Sequence, residues 1–388
     1  MNFNLTDEQR LLQDSVRRFA EKDYDFAARS ARVKSGEPCS RRHWATFAEN
    51  GWLAAALPES AGGLGGTIID TVLIAGELGR GLVVEPYLGS AVLAAQTLVA
   101  AATPDQLETL LPALADGSRR FALAYSEASS RGQPEPVATR AEPARGGFTL
   151  HGTKTLVLGG SDADAFIVSA MLTGEAGEGA LCSLFLVPAD AEGVDCISLP
   201  LHDGSWAAEV RFNGAFVPAD GLLGEAGNAP AALSHGLAHA IAALCAELVG
   251  GMEKTIEITA AYLKVRKQFG VPIGSFQALQ HRMADMAAEL EVARSMLYAL
   301  LASIENDGAQ ALARTVSQAK ALVGRAARYV CGQGIQLHGG IGMTEEYTVG
   351  HYFKRAVVAD VLFGNADLHE AGNARALQAT LTGKEVQA

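Results

Sequence analysis

Beyond about residue 229 the apolar positions settle onto a helical period. Leu237, Ile241, Leu244, Leu248 and Met252 recur at spacings of three and four. A second run carries Met283, Met286, Leu290 and Leu297, and a third carries Leu312, Val316, Leu322 and Val330. Long runs with few breaks predict an antiparallel four-helix bundle, with the methionines as core rather than cofactor contacts. Between about 121 and 228 the pattern shortens. FALAYSE, GFTLHG, KTLVLGG, AFIVSAM, CSLFLVP and AEVRFNGAFVP are β-rich runs separated by glycine, proline and aspartate, the spacing of an all-β barrel or sandwich. SEASSRGQPEP is a loop within that region. Residues 1–120 read as helices: Thr6 and Gln9 form a capping box. In TPDQLETLLPALADG, Thr103 is the N-cap, Pro104 opens the first turn, Gln106 closes the box and Gly117 follows the end. The glycine-rich PESAGGLGG, residues 58–66, reads as a helix connector. The order is helical (1–120), β (121–228) and helical (229–388), a multidomain α+β chain without internal repeats.

Composition narrows the function classes. A chain of 388 residues with 49% apolar and 19% charged residues buries a large core in more than one domain. A net charge of −12 argues against a general nucleic-acid binder, so an anionic ligand has to be met by local basic residues. The five cysteines, Cys39, Cys182, Cys196, Cys245 and Cys331, contain no C-x-x-C pair and signal neither a zinc site nor a disulfide framework. The N-terminal stretch MNFNLTDEQR is polar, unlike a signal peptide, and the longest apolar run, around 237–252, is interrupted by histidine, cysteine and glutamate. The expectation is a cytoplasmic protein that does not engage a membrane.

Hydrolytic and metal chemistry find little support. There is no G-x-S-x-G elbow, no G-x-G-x-x-G opening a helix after a strand, and no H-E-x-x-H. His235 and His239 stand one helical turn apart without a third ligand, so no metal is expected. Two stretches stand out instead. Lys264, Arg266 and Lys267 make a basic knot at the end of a helix, where cations also stabilise a helix C-terminus. GIQLHGGIGMTEEY, residues 334–347, places glycines after a long helix, where they either stop it or expose N–H groups to a phosphate. Together they point to a shared polyphosphate. A third stretch, VLFGNADLH at 361–369, breaks an apolar run with Gly364, which either joins two helices or lets backbone approach a ligand.

These stretches carry a family resemblance. GWLAAALPESAGGLGG resembles the N-terminal loop of the acyl-CoA dehydrogenases, FALAYSE their strand ending in Thr-Glu-Pro, and DGSWAAEVRFNGAFVPADGLLG their last β segment. RKQFG, SFQALQ and QLHGGIG with EEY resemble their C-terminal FAD motifs. In this order, over nearly the whole length, the chain resembles an acyl-CoA dehydrogenase: an N-terminal helical domain, a middle β-barrel domain and a C-terminal four-helix bundle. The resemblance implies FAD as cofactor, an acyl-CoA substrate and electron-transfer flavoprotein as a partner. It implies that Arg266 and Phe269 meet the diphosphate and adenine side with Gln277 nearby, and that Gln336, Gly339 and Gly340 face the same diphosphate. In the family these groups serve the flavin of a neighbouring subunit. Tyr125, Ser126 and Leu158 would line the flavin ring of the chain's own β domain.

The departures from that pattern are as informative. The family's base, a glutamate in Tyr-Glu-Gly-Thr, aligns on Gly364 with Phe363, while Leu362 replaces the tyrosine and Asn365, counted on the cofactor side, the threonine. The alternative base position on the first bundle helix falls at Ala240, beside Ile241; Glu247 and Glu253 lie elsewhere on that helix. Asp367 and Glu370 remain as carboxylates near the altered loop, so the catalytic base is unassigned. In the β region, Ser126-Glu127-Ala128, SSRGQ and LVLGG replace the family's Thr-Glu-Pro, Gly-Ser-Asp and Ile-Thr-Asn stretches. A kept C-terminal half-site beside an altered β half-site resembles the base-lacking subunits of heteromeric steroid side-chain or pimeloyl-CoA dehydrogenases. The expectation is a subunit working with a homologous partner chain in an α2β2 tetramer. The alternatives are an active homo-oligomer with an unorthodox base and a flavin-dependent oxygenase on the same fold.

Overall fold

The computed structural model describes residues 4–173 and 180–382. The chain divides into two compact units: Met1–Arg29 with Val72–Val83 and Ile241–Ala388, and Ser30–Thr71 with Val84–Ala240.

The first unit is helical. Helix α1, Asp7–Lys22, opens on the expected reciprocal Thr6/Gln9 capping box. The C-terminal part contains α7 (Ala229–Val265, in this unit from Ile241), α8 (Gln277–Asn306), α9 (Ala309–His338), α10 (Val349–Val361) and α11 (Ala366–Thr382). The central α9 packs on α8, α10 and α11. The expected four-helix bundle thus has a fifth helix. Phe363 and Gly364 adopt φ of 61° and 90°, and this left-handed pair divides the last run into α10 and α11. Helix α7 departs from the expectation that no segment can span a membrane. By length and composition it can, but 78% of its apolar window is buried within the protein, where the period read from Leu237 to Met252 forms core.

The second unit carries the β region on one sheet. Its strands are β1 (Phe121–Ala124), β2 (Arg140–Ala144), β3 (Gly147–Leu158), β4 (Ala165–Leu172), β5 (Leu181–Pro188), β6 (Val194–Pro200) and β7 (Trp206–Pro218). They pair in the order β1-β4-β2-β3-β7-β6, with β5 on β4. The barrel expected there is a curled open sheet: among the described residues the outer strands β5 and β6 do not pair with each other. The apolar alternation puts Leu150, Phe166, Val168, Phe185, Val210 and Phe212 into one core. In chain order α2 (Phe26–Lys34), α3 (Arg41–Glu49), α4 (Ile68–Arg80) and α5 (Ala95–Ala101) precede α6, Pro104–Ala115, which has the anticipated Thr103/Gln106 box and is followed by Gly117 at φ 73°. PESAGGLGG is a connector whose glycines are needed for contact: a Cβ on Gly63 would lie 2.1 Å from the Leu57 carbonyl oxygen. A π-helix at Tyr87–Ala94, absent from the sequence pattern, abuts the end of β3, with Gly89 against the Leu158 backbone.

Candidate cofactor site

The ends of α7 and α9 and the start of α8 line an open surface cavity of about 490 Å³ in the first unit. After α7 the chain reverses in a two-residue hairpin, Lys267–Gln268 against Val271–Pro272. Phe269 and Gly270 supply the two positive φ angles, 53° and 83°, that such a turn demands. Arg266 sits at the base of this hairpin, its carbonyl accepting from Ile273 N–H at 2.8 Å. Across the cavity α9 ends at Gly339, whose φ of 62° and ψ of −140° suit only glycine. The two helix ends are tied by aromatic stacking. Tyr262, one turn before Arg266, stacks on His338 at 4.5 Å, and Tyr347 lies 5.0 Å from the His338 ring. His338 Nδ1–H donates to the Gly334 carbonyl at 2.7 Å, leaving Nε2 buried without a partner. Burial lowers the His338 pKa against the effect of that hydrogen bond, so the ring is neutral near pH 7.

Arg266, Gln336, Gly339 and Gly340, four residues singled out in the sequence, line this cavity together. Among the described residues none of Lys264, Arg266 and Lys267 has an acidic partner, so the knot is a local positive centre in an acidic chain. A Cβ at Gly339 or Gly340 would meet nothing within 4 Å. At Gly340, where φ is not left-handed, internal packing therefore gives no reason for glycine, and the backbone stands open to a ligand. Phe269 and Gln277 lie just outside the lining. Phe269 is 93% exposed, edge-on to Phe276 at 6.2 Å, and Gln277 begins α8 on the surface. The sequence reading missed Arg282, Gln268, Tyr262 and His338 in the wall; each is an ordinary helix or hairpin residue until α8 and α9 are brought together.

The 360–369 loop is held by side chains from its own unit. Lys320, buried, donates to the carbonyls of Gly364 at 2.9 Å and Asp360 at 3.2 Å. His369 contacts the Phe363 carbonyl at 3.0 Å through Nε2 and the Ser317 hydroxyl at 3.0 Å through Nδ1. Phe363 is 4% exposed, and Asn365 caps α11, its Oδ1 accepting from Leu368 N–H at 3.0 Å. The nearby carboxylates are engaged. Arg325 holds Asp367 at 3.0 Å and Glu370 at 2.6 Å on the surface. Arg355 grips Glu247 at 2.6 and 2.9 Å, and Glu253 lies between Arg80 and Arg294. Ala240 is fully buried. Among the described residues the displaced carboxyl groups, Glu85, Glu127 and Glu257, all move downwards: burial raises each, and hydrogen bonds with charged partners more than reverse it. A desolvated base needs the opposite shift.

In the second unit Tyr125 and Ser126 are buried at the end of β1, and Leu158 is half-buried at the end of β3. The Tyr125 hydroxyl donates to the Gly132 carbonyl at 3.0 Å, and the Ser126 carbonyl accepts from Thr155 N–H at 2.8 Å. Beside them lies a network with no local sequence signal. Glu127 accepts from Lys154 Nζ at 2.8 Å, from the N–H groups of Ala138 and Thr139 at 2.8 and 3.0 Å, and from the Thr139 hydroxyl at 2.8 Å. Lys154, fully buried, also donates to Ser169 and to the Tyr125 carbonyl. The register shifts between Lys154 and Val157, with Leu156 at φ 50°. The histidine pair is likewise satisfied internally. His239 Nδ1–H donates to the His235 carbonyl at 3.0 Å, and His235 Nε2 meets Gln96 Oε1 at 3.2 Å. Burial, with His235 adding, lowers His239 to about 4. Among the described residues no group of three His, Cys, Asp or Glu side chains could hold a metal ion.

Family models for the N-terminal, middle and C-terminal domains of acyl-CoA dehydrogenases match residues 6–118, 122–214 and 230–378. The chain is 30% identical over 384 residues to a probable acyl-CoA dehydrogenase, YngJ, of Bacillus subtilis, covering 97% of this chain and 100% of that protein. It is 31% identical over 365 residues to the benzylmalonyl-CoA dehydrogenase of Aromatoleum aromaticum, covering 91% and 93%. Among solved structures, it resembles a chain of the ChsE4–ChsE5 complex of Mycobacterium tuberculosis with a TM-score of 0.87 at 27% identity, covering 97% and 99%. It resembles the Tcur3481–Tcur3483 steroid ACAD with a TM-score of 0.85 at 29% identity, covering 97% and 99%.

Proposed function

The chain belongs to the acyl-CoA dehydrogenase family, a family of FAD-dependent oxidoreductases acting on CH–CH bonds, and we propose that it serves as the base-lacking subunit of a heteromer that desaturates an acyl-CoA at its α,β bond. One observation carries this reading: Phe363 is locked where the family's base aligns, while the carboxylates along the neighbouring helices are held by arginines. Phenylalanine cannot accept the α-proton, and the carboxylates nearest the loop are already paired with arginines.

The cavity of the first unit fits the cofactor. Arg266 offers a guanidinium free of acidic partners among the described residues, Gln336 an amide, and Gly340 an open backbone; this donor set suits a diphosphate. FAD, when bound, supplies the acceptor for the hydride that leaves the β-carbon. The chain's own part is to hold the diphosphate while a homologous chain provides the base. That relatives in the ChsE4–ChsE5 and Tcur3481–Tcur3483 structures are assembled from differently named chains supports a heteromer here.

Native mass spectrometry tests the reading. Expressed alone, the chain is expected to be flavin-poor and without turnover. Co-expressed with a homologue that keeps the glutamate, it should form an α2β2 tetramer with one FAD for each pair of chains. A homotetramer of this chain, fully loaded with FAD and turning over an acyl-CoA, overturns the heteromeric reading. Oxygen consumption with a hydroxylated product would point to the oxygenase instead.

A further inference from the structure

A second guanidinium faces the cavity, and it is kept uncompensated. Arg282, in the second turn of α8, lines the same wall as Arg266. Its Nη1 donates to Gln333 Oε1 at 3.2 Å, and among the described residues it has no carboxylate partner. Four other arginines of the same bundle sit on acids: Arg294 on Glu253 and Glu291, Arg325 on Asp367 and Glu370, Arg328 on Asp360, Arg355 on Glu247. Holding Arg282 with a neutral amide fixes the direction of the guanidinium without cancelling its charge. Gln333 and Gln336 are three residues apart on α9, so the residue that steers Arg282 and the residue that faces the cavity share one side of the helix.

Resting on the reading of this cavity as the cofactor's diphosphate site, we propose that Arg282 is a second anion anchor, positioned by Gln333, so that two guanidinia, one from the hairpin after α7 and one from α8, share the two phosphates. Two adjacent phosphates carry more charge than one arginine can neutralise. The second charge has to come from outside the α7 end and its hairpin, because Lys264 and Lys267 flank Arg266 without lining the cavity. Arg282 supplies it from the facing helix. The arrangement also selects against ligands bearing a single phosphate, which can occupy only one of the two anchors.

The test measures FAD affinity by flavin fluorescence on the full chain, alone and co-expressed with its homologous partner, with thermal unfolding as a check on folding. Arg282→Gln is expected to weaken FAD by at least about tenfold at unchanged melting temperature, the loss typical of one charge-assisted contact. Arg282→Lys should recover part of it. Gln333→Glu is the decisive variant: a carboxylate holds Arg282 at least as well but cancels its charge. Melting temperature should therefore stay or rise while FAD affinity falls, whereas a purely structural Gln333 would give no loss. If Arg266→Gln weakens FAD and neither Arg282→Gln nor Gln333→Glu does, the second anchor is refuted and the diphosphate reading stands. If Arg266→Gln also leaves FAD unaffected, or no assembly takes up FAD, the reading beneath it falls too.

Discussion

The cavity at the ends of α7 and α9 and the buried network beneath Tyr125 use similar chemistry to opposite ends. In the first, Arg266 and Arg282 stand without acids among the described residues, and Gly340 leaves open space where a side chain could sit. In the second, Lys154 and Glu127 are closed on each other and on backbone amides, and the Tyr125 hydroxyl is spent on Gly132. Polar groups left unpaired at a surface cavity are available to a ligand. The same groups paired in a dry interior define the local structure and leave little for anything else. The contrast teaches where to look for function: at charge the fold does not neutralise, rather than at charge as such.

The largest effect that could break this comparison is expected in the closed region. Glu127→Ala leaves the Lys154 ammonium buried and unpaired and is expected to cost about 3–5 kcal/mol, whereas Arg266→Ala should stay within about 0.5 kcal/mol. Urea unfolding of both variants decides it, and equal losses would erase the distinction. The closed region also has an acid signature. Because the Glu127 pKa is lowered in the folded state, its stabilisation is complete above the ordinary carboxylate range and is lost as pH falls through the folded value. The stability gap between the wild type and Glu127→Gln should therefore narrow towards acid pH.

The open region reads out in binding instead. Arg266→Ala is expected to weaken FAD by roughly ten- to a hundredfold, measured by flavin retention on dialysis. Full retention would remove the cavity from the cofactor site. The smallest effect separates two kinds of glycine. A Cβ at Gly89 would lie 2.7 Å from the Leu158 carbonyl, so Gly89→Ala should cost about 1–3 kcal/mol of stability. At Gly340 a Cβ meets nothing, so Gly340→Ala should change stability by no more than about 0.5 kcal/mol while lowering FAD affinity. Melting temperatures beside FAD titrations sort the two.

Much of the molecule was legible in its sequence because the signals are local. The two capping boxes, the helical period from Leu237 to Met252, the β-rich middle and the break at Gly364 rest on residues within a few positions of one another. Arg266 and the QLHGGIG stretch were legible for the same reason: a basic knot and a glycine cluster stand out on either side of a helix end. What the sequence by itself could not decide was partnership across distance. Glu127 and Lys154 are 27 residues apart, Lys320 and Gly364 are 44, and Arg282 and Gln333 are 51. Nothing in the spacing distinguishes Arg282, steered by an amide, from Arg325, neutralised by two acids; nor does it show that Asp367 and Glu370 are clamped by that arginine rather than free to act as bases. Residue type sets what a side chain can do, but only the tertiary structure decides whether its charge is cancelled. Cancellation depends on distances of a few ångströms between groups the chain keeps far apart.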